Sequence, residues 1–228
     1  MHDRLEVSDS ATRLLACGAL AGPMFVAVFT TIGHKRSGYE PRRHSVSSLA
    51  LGPGGAVQRA NFVLAGSLYL AGSVGLARAG RSRFPAAPFP AMVAAAGIGL
   101  VGSGVFSTDP VSGYPPETPP QRIPPSRVGT WHTVFAIPIF LGIPAAALLS
   151  AGASLRNRKT AWAAYSAGTA LVMPAAAMLA GEGFAQKPSL VRSGGLLQRV
   201  SIASGLGWLT ALHIAVSRAH PGYYGRSR

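Results

Sequence analysis

Residues 160–181 read TAWAAYSAGTALVMPAAAMLAG, a run without one Lys, Arg, Asp or Glu. A helix of that length reaches across roughly 30 Å of hydrocarbon, so the run is long enough to span a bilayer. Five more stretches of similar length, each uncharged in its middle, lie near 14–33, 56–77, 86–107, 130–151 and 196–217. Charge is concentrated between these stretches and at their ends. The fold expected is therefore all-α, a polytopic membrane bundle of six transmembrane helices. It would occupy residues 14–217, between a polar tail at 1–13 and a basic tail at 218–228.

Composition agrees with that reading. Hydrophobic residues make up 48% and charged residues 12%, about half the charged fraction of ordinary soluble domains. Six spans and five connections use nearly all of the 228 residues, leaving no room for a separate soluble domain. The formal charge is +14, from 21 Lys and Arg against 7 Asp and Glu. The cations are scattered over loops and span ends rather than gathered in a stripe. That pattern suits anionic lipid headgroups and argues against nucleic acid as a partner. Cys17 is the sole cysteine, which excludes an internal disulfide. The first apolar run is too long for a signal-peptide core and is read as a retained span.

Local signals divide the chain further. Gly18 and Gly22 form a small-xxx-small pair suited to close helix packing, and Pro23 follows as a candidate kink. Gly97, Gly99, Gly102 and Gly104 mark the third span as an interior helix. Seven prolines between Pro110 and Pro125 exclude regular helix and predict an extended, exposed cap over 108–129. Pro138 and Pro144 predict a bend in the fourth span. Trp131 and Trp162 stand at span ends, where amphipathic rings favour the interface. With the amino terminus inside, eleven Lys and Arg fall inside and ten outside. The two short turns, carrying Arg78, Arg81, Arg83 and Arg156, Arg158, Lys159, are dense in cations and free of acid. From that density both termini are expected on the inside, and the membrane expected is the plasma membrane.

Six spans put the first, third and fifth connections on one face. These are the long ones, and they hold the polar residues with chemical potential. The first carries His34, Glu40 and Arg42-Arg43-His44-Ser45-Val46-Ser47-Ser48-Leu49. The third carries Ser107-Thr108-Asp109-Pro110 and Gly129-Thr130-Trp131-His132. The fifth carries Glu182 and Gly194-Gly195-Leu196-Leu197-Gln198-Arg199. His132, an ionisable residue inside a span, is a candidate general base or acid. Asp109 is a candidate carboxylate to orient it. Its position at a helix C-terminus opposes the helix dipole, which argues against mere decoration. His44, Ser48, Gln198 and Arg199 are candidate substrate contacts, Arg199 with His44 holding an anionic group. Each has a plain alternative: serines before a helix act as caps, and an arginine at a span entrance snorkels to phosphate. His213, deeper in the sixth span, is expected to make a structural interhelical hydrogen bond. No HxxxH, HExxH or CxxC spacing occurs, so no metal ligand set and no cofactor are expected.

His44-Ser45-Val46-Ser47-Ser48-Leu49, Asn61, Phe106 to Asp109, His132 and Gly195-Leu196-Leu197-Gln198-Arg199 together resemble a family of uncharacterised bacterial and archaeal membrane proteins, domain of unknown function 998. The resemblance covers about residues 14–217 and implies a six-helix bundle without an established reaction. Members often have an acidic residue after the serine run, where this chain has Leu49-Ala50. Three functions follow as expectations. One is a membrane enzyme acting on a lipid or isoprenoid-like substrate at the polar face. Another is a small-solute or proton-coupled carrier, with His213 and His132 in its path. The last is a non-catalytic scaffold whose glycine faces serve partner helices. Partners expected are membrane lipids and a lipophilic small molecule, and a homo-oligomer is compatible with the glycine faces.

Overall fold

A computed structural model describes residues 2–79, 88–121 and 124–219. Of the basic residues weighed for orientation, Arg81, Arg83, Arg122, Arg226 and Arg228 lie outside the described residues. Among the described residues seven α-helices follow in order: α1 (His2–Lys35), α2 (Gly55–Ala79), α3 (Pro88–Val105), α4 (Arg127–Ile137), α5 (Ile143–Arg156), α6 (Thr160–Phe184) and α7 (Gly194–Ala219). A π-helical segment, Pro138–Gly142, joins α4 to α5, so that Arg127–Arg156 is one continuous span. Six helices are thus long and apolar enough to cross a membrane. The protein is an all-α, integral, multi-pass membrane protein.

The spans form a ring in sequence order. α1 packs on α2, α2 on α3, α3 on α4 and the π segment, α5 on α6, α6 on α7, and α7 back on α1. Consecutive helices tend to lie side by side, and each span here packs on the next in the chain. The ring closes on a core that includes Phe25, Tyr69, Leu100, Ile143, Met173 and Trp208. Outward-facing Leu20, Leu141, Leu171 and Met178 are more than 60% exposed, as expected of side chains that face lipid.

Several local expectations change. The tail before residue 14 is not separate from the first span: α1 begins at His2, and an Asp9–Arg13 ion pair at 2.7 Å spans one of its turns. The bend in the fourth span takes the form of the π segment. Pro138 and Pro144 lack the N–H groups that would bond the carbonyls one turn earlier, and the ladder resets between them. α3 is not enclosed. Gly97 packs against α2, and Gly99 and Gly102 against Phe135, while Ile98 and Val105 face outward. The third connection is irregular as expected, but not wholly exposed. Tyr114 is buried against Tyr39 and His44 with ring centroids 5.2 Å away, because an aromatic stack removes its apolar ring from water.

His213 bonds within its own helix, its Nδ1 lying 2.7 Å from the Leu209 carbonyl, and its ring also meets the Gly72 backbone of α2. The ring is fully buried between α1 and α2, where a Cβ on Gly18 or Gly72 would collide with it. The small residues at these positions are therefore a socket for an imidazole.

Candidate functional site

The three long connections meet at one end of the ring. The Leu196 N–H donates to the Arg42 carbonyl at 2.9 Å, joining the fifth connection to the first. Gln186 Nε2 donates to Ser112 Oγ at 3.1 Å, joining the fifth to the third. The Val46 N–H donates to Gln198 Oε1 at 2.7 Å, across 152 residues of sequence. Residues remote in the chain are thus brought to a common rim.

His132 sits one turn into α4 and is 7% exposed. Its Nδ1 faces two carbonyls at the end of α3, Phe106 at 2.8 Å and Ser103 at 3.1 Å. A helix end leaves its last carbonyls without intrahelical partners, and this ring supplies one donor to both. Because both neighbours are acceptors, Nδ1 carries the proton. In the neutral ring Nε2 is then the basic nitrogen. Ser47 Oγ lies 3.1 Å from that Nε2.

Two cavities meet at this pair. The outer one, about 280 Å³, is lined by polar residues such as Ser45, Thr108, Asp109 and Thr133, with Gly181 and Phe184 of α6 on its far wall. The inner one, about 30 Å³, is lined largely by Phe25, Phe62, Leu100, Met173, Ile202 and Leu206. Ser47, His132, Ala136, Phe140 and Gln198 line both. Phe140 belongs to the π segment, a distortion that often marks functional positions in helices.

The remaining sequence candidates occupy distinct places. Asp109 lines the outer cavity, but its carboxylate accepts from the Ser126 N–H at 2.9 Å, at the start of α4. Ser126 in turn accepts from the Gly129 N–H at 3.0 Å, and a Cβ on Gly129 would strike the carboxylate. The anion therefore sits on the positive end of α4. No hydrogen bond joins Asp109 to His132 among the described residues; the α3 carbonyls hold the ring instead. Ser48 is fully buried and paired with Ser45 Oγ at 2.8 Å, away from both cavities. Gln198 lines both cavities, and with its Oε1 held by Val46 its Nε2 has no partner among the described residues.

Arg199, next in sequence, points elsewhere. Its guanidinium donates to the carbonyls of Pro41, His44 and Gly195 and to the Tyr39 hydroxyl at 2.6 Å. It thereby folds the first connection onto α7. Burial pushes the Tyr39 phenol above its usual range, and the neighbouring Arg199 opposes that shift. His44 is buried, with Nδ1 accepting from the Glu40 N–H at 2.8 Å. Burial, with Arg43 and Arg199 nearby, holds it below the ordinary histidine value, against the opposing pull of Glu40 and a backbone hydrogen bond at Ser112. His44 is therefore a neutral strut of the same loop. Among the described residues, no group of three or more His, Cys, Asp or Glu is disposed to hold a metal ion.

Ser47 is the residue that the sequence reading passed over. The serine run suggested Ser48, yet Val46 and Leu49 are the positions that bury into the core at 1% and 0% exposure. That apolar pair three residues apart was the available signal for the facing of the turn Ser47–Ala50. Ser103, whose buried hydroxyl faces the inner cavity without a partner among the described residues, had no such signal.

The membrane bundle has a known family. A family model described as "Protein of unknown function (DUF998)" matches residues 19–215. The chain belongs to that family. No curated protein and no solved structure matches the chain.

Proposed function

We propose that the protein is a membrane enzyme acting on a lipid or isoprenoid-like substrate at the rim formed by the first, third and fifth connections. His132 serves as general base and then general acid. The observation that carries this reading is the setting of its imidazole. One nitrogen is tied to two carbonyls, and the other is turned to the junction of a polar and an apolar cavity. A polar head fits the outer cavity. The inner cavity admits only a small apolar group, so a longer hydrocarbon runs outward between α4 and α6 into the surrounding lipid. Asp109 shapes the rim by anchoring α4, and Arg199 and His44 hold the first connection in place. The basic short turns suit a plasma-membrane location, with membrane lipids as the source of substrate.

The test is product formation by the full chain in nanodiscs made from a mixed membrane-lipid extract, followed by mass spectrometry. The wild type should convert at least one lipid class. His132→Gln should lower that conversion by about 10²–10⁴-fold, the usual contribution of a general base. Unchanged lipids with the wild type, or equal conversion by the variant, would contradict the reading.

A further inference from the structure

We infer that Ser47 is a nucleophile, activated by His132, and that the substrate class is a neutral acyl ester of a lipid. This rests on the enzyme reading above and goes further, by naming the attacking atom and the bond broken.

Four observations carry it. First, Ser47 Oγ is 3.1 Å from His132 Nε2, within reach for proton transfer in an empty site. Second, the base has an orienting partner. In a Ser-His-Asp triad a carboxylate fixes the imidazole tautomer and faces the developing positive charge. Here the Phe106 and Ser103 carbonyls, at the negative end of α3, occupy that position at 2.8 and 3.1 Å. Third, donors stand ready for an oxyanion. Gln198 Nε2 is unpartnered and lines both cavities beside Ser47. The Ser47 N–H, at the start of its 3₁₀ turn, has no hydrogen-bond partner among the described residues. Fourth, of the three serines in the run, Ser47 is the one that is partly exposed and lines both cavities; Ser45 is buried and lines only the outer one, and Ser48 is fully buried and bonded to Ser45.

The substrate class follows from the lining. Among the described residues neither cavity is lined by a Lys or Arg, and the outer one carries the Asp109 carboxylate. A phosphate at the reacting centre would find repulsion and no cation. An uncharged carboxylic ester is compatible with both the polar outer cavity and the apolar inner one.

The step balances without further components than water. Ser47 Oγ attacks the ester carbonyl carbon and gives its proton to His132 Nε2. The resulting oxyanion is met by Gln198 Nε2 and the Ser47 N–H. Collapse breaks the bond from carbon to the alcohol oxygen, and His132 returns its proton to the departing alcohol. Water then attacks the Ser47 ester and passes a proton through His132 back to Ser47 Oγ, releasing a fatty acid.

The experiment is labelling of the full chain in detergent with a long-chain alkyl fluorophosphonate, with the adducted residue located by peptide mass spectrometry. The expected adduct is on Ser47. Ser47→Ala should reduce labelling to background, and His132→Gln should slow it by at least 100-fold. Ser67→Ala, on the outer face of α2, should label normally. Because Ser47→Ala could weaken the fold, Ser47→Cys in a Cys17→Ser background supplies a second arm. Its thiol should react with iodoacetamide at least tenfold faster than that of Ser67→Cys, and lose this advantage with His132→Gln. No adduct on the wild type, an adduct on another residue, or no rate advantage for the Ser47→Cys arm would overturn the covalent step. If Ser47→Ala retains lipid conversion while His132→Gln loses it, the nucleophile assignment fails and the enzyme reading stands with water attacking directly. If neither variant alters conversion, both fail.

Discussion

Arg199 Nη2 donates to the Tyr39 hydroxyl at 2.6 Å, across 160 residues of chain. The same guanidinium holds the Pro41, His44 and Gly195 carbonyls, and packs over the Phe29 and Tyr39 rings. Its donors are therefore occupied by the first connection and by its own helix. We predict that Arg199→Ala lowers thermal stability, because it orphans partly buried carbonyls at about 1–3 kcal/mol each. Arg199→Lys should recover little, since a point charge cannot reproduce a planar fork. Thermal unfolding in detergent checks this; a wild-type melting temperature with reduced substrate affinity would instead mark Arg199 as a substrate contact.

His44 makes stability depend on pH. Its folded-state value is depressed, so between that value and about 6.5 the unfolded chain binds the proton that the native loop refuses. Its contribution is complete above about pH 6.5 and declines as pH falls through the folded value. Protonation also ends the Glu40 N–H bond to Nδ1. His44→Asn keeps an acceptor near that position without titrating. Melting curves from pH 8 to 5 should therefore fall more steeply for the wild type than for His44→Asn, and parallel curves would refute the assignment.

Asp109 and His132 should separate kinetically. Asp109→Ala removes an acceptor and a negative charge from the start of α4, at a cost of about 1 kcal/mol. Lipid conversion should fall less than tenfold, because the carboxylate makes no bond to the imidazole. His132→Gln should fall by the full 10²–10⁴-fold expected for a lost base. Equal losses in two well-folded variants would show that Asp109 acts on the ring itself.

The His213 socket gives a packing prediction. Gly18→Ala drives a Cβ into a ring that has nowhere to move, at about 1–3 kcal/mol. Combining it with His213→Ala should recover part of the loss, a coupling that a double-mutant cycle measures. Additive losses would mean that the two positions do not share one space.

The bundle was legible in the sequence because a bilayer demands long uncharged helices, and the six runs meet that demand. The common face of the three long connections was legible too, since alternate connections of a chain that crosses back and forth fall on the same side. What the side chains do there was not. Gln198 and Arg199 are adjacent, but neighbours on a helix point about 100° apart, so one lines the cavities and the other locks a loop. Ser47 and Ser48 differ by one step of a 3₁₀ turn, which puts one on the cavity and the other in the core. Asp109 and His132 looked like partners, yet the unpaired carbonyls of α3 reached the imidazole first. Such outcomes depend on the rotation of each helix about its axis, which short polar motifs do not encode.

Nitrogen NMR of histidine-labelled protein in bilayers reports directly on the His132 ring, with its signals assigned by difference against His132→Gln. The site as described requires a protonated Nδ1, an unprotonated Nε2, and an Nε2 resonance that moves on Ser47→Ala. A ring protonated at Nε2 alone, or one indifferent to Ser47, would contradict it.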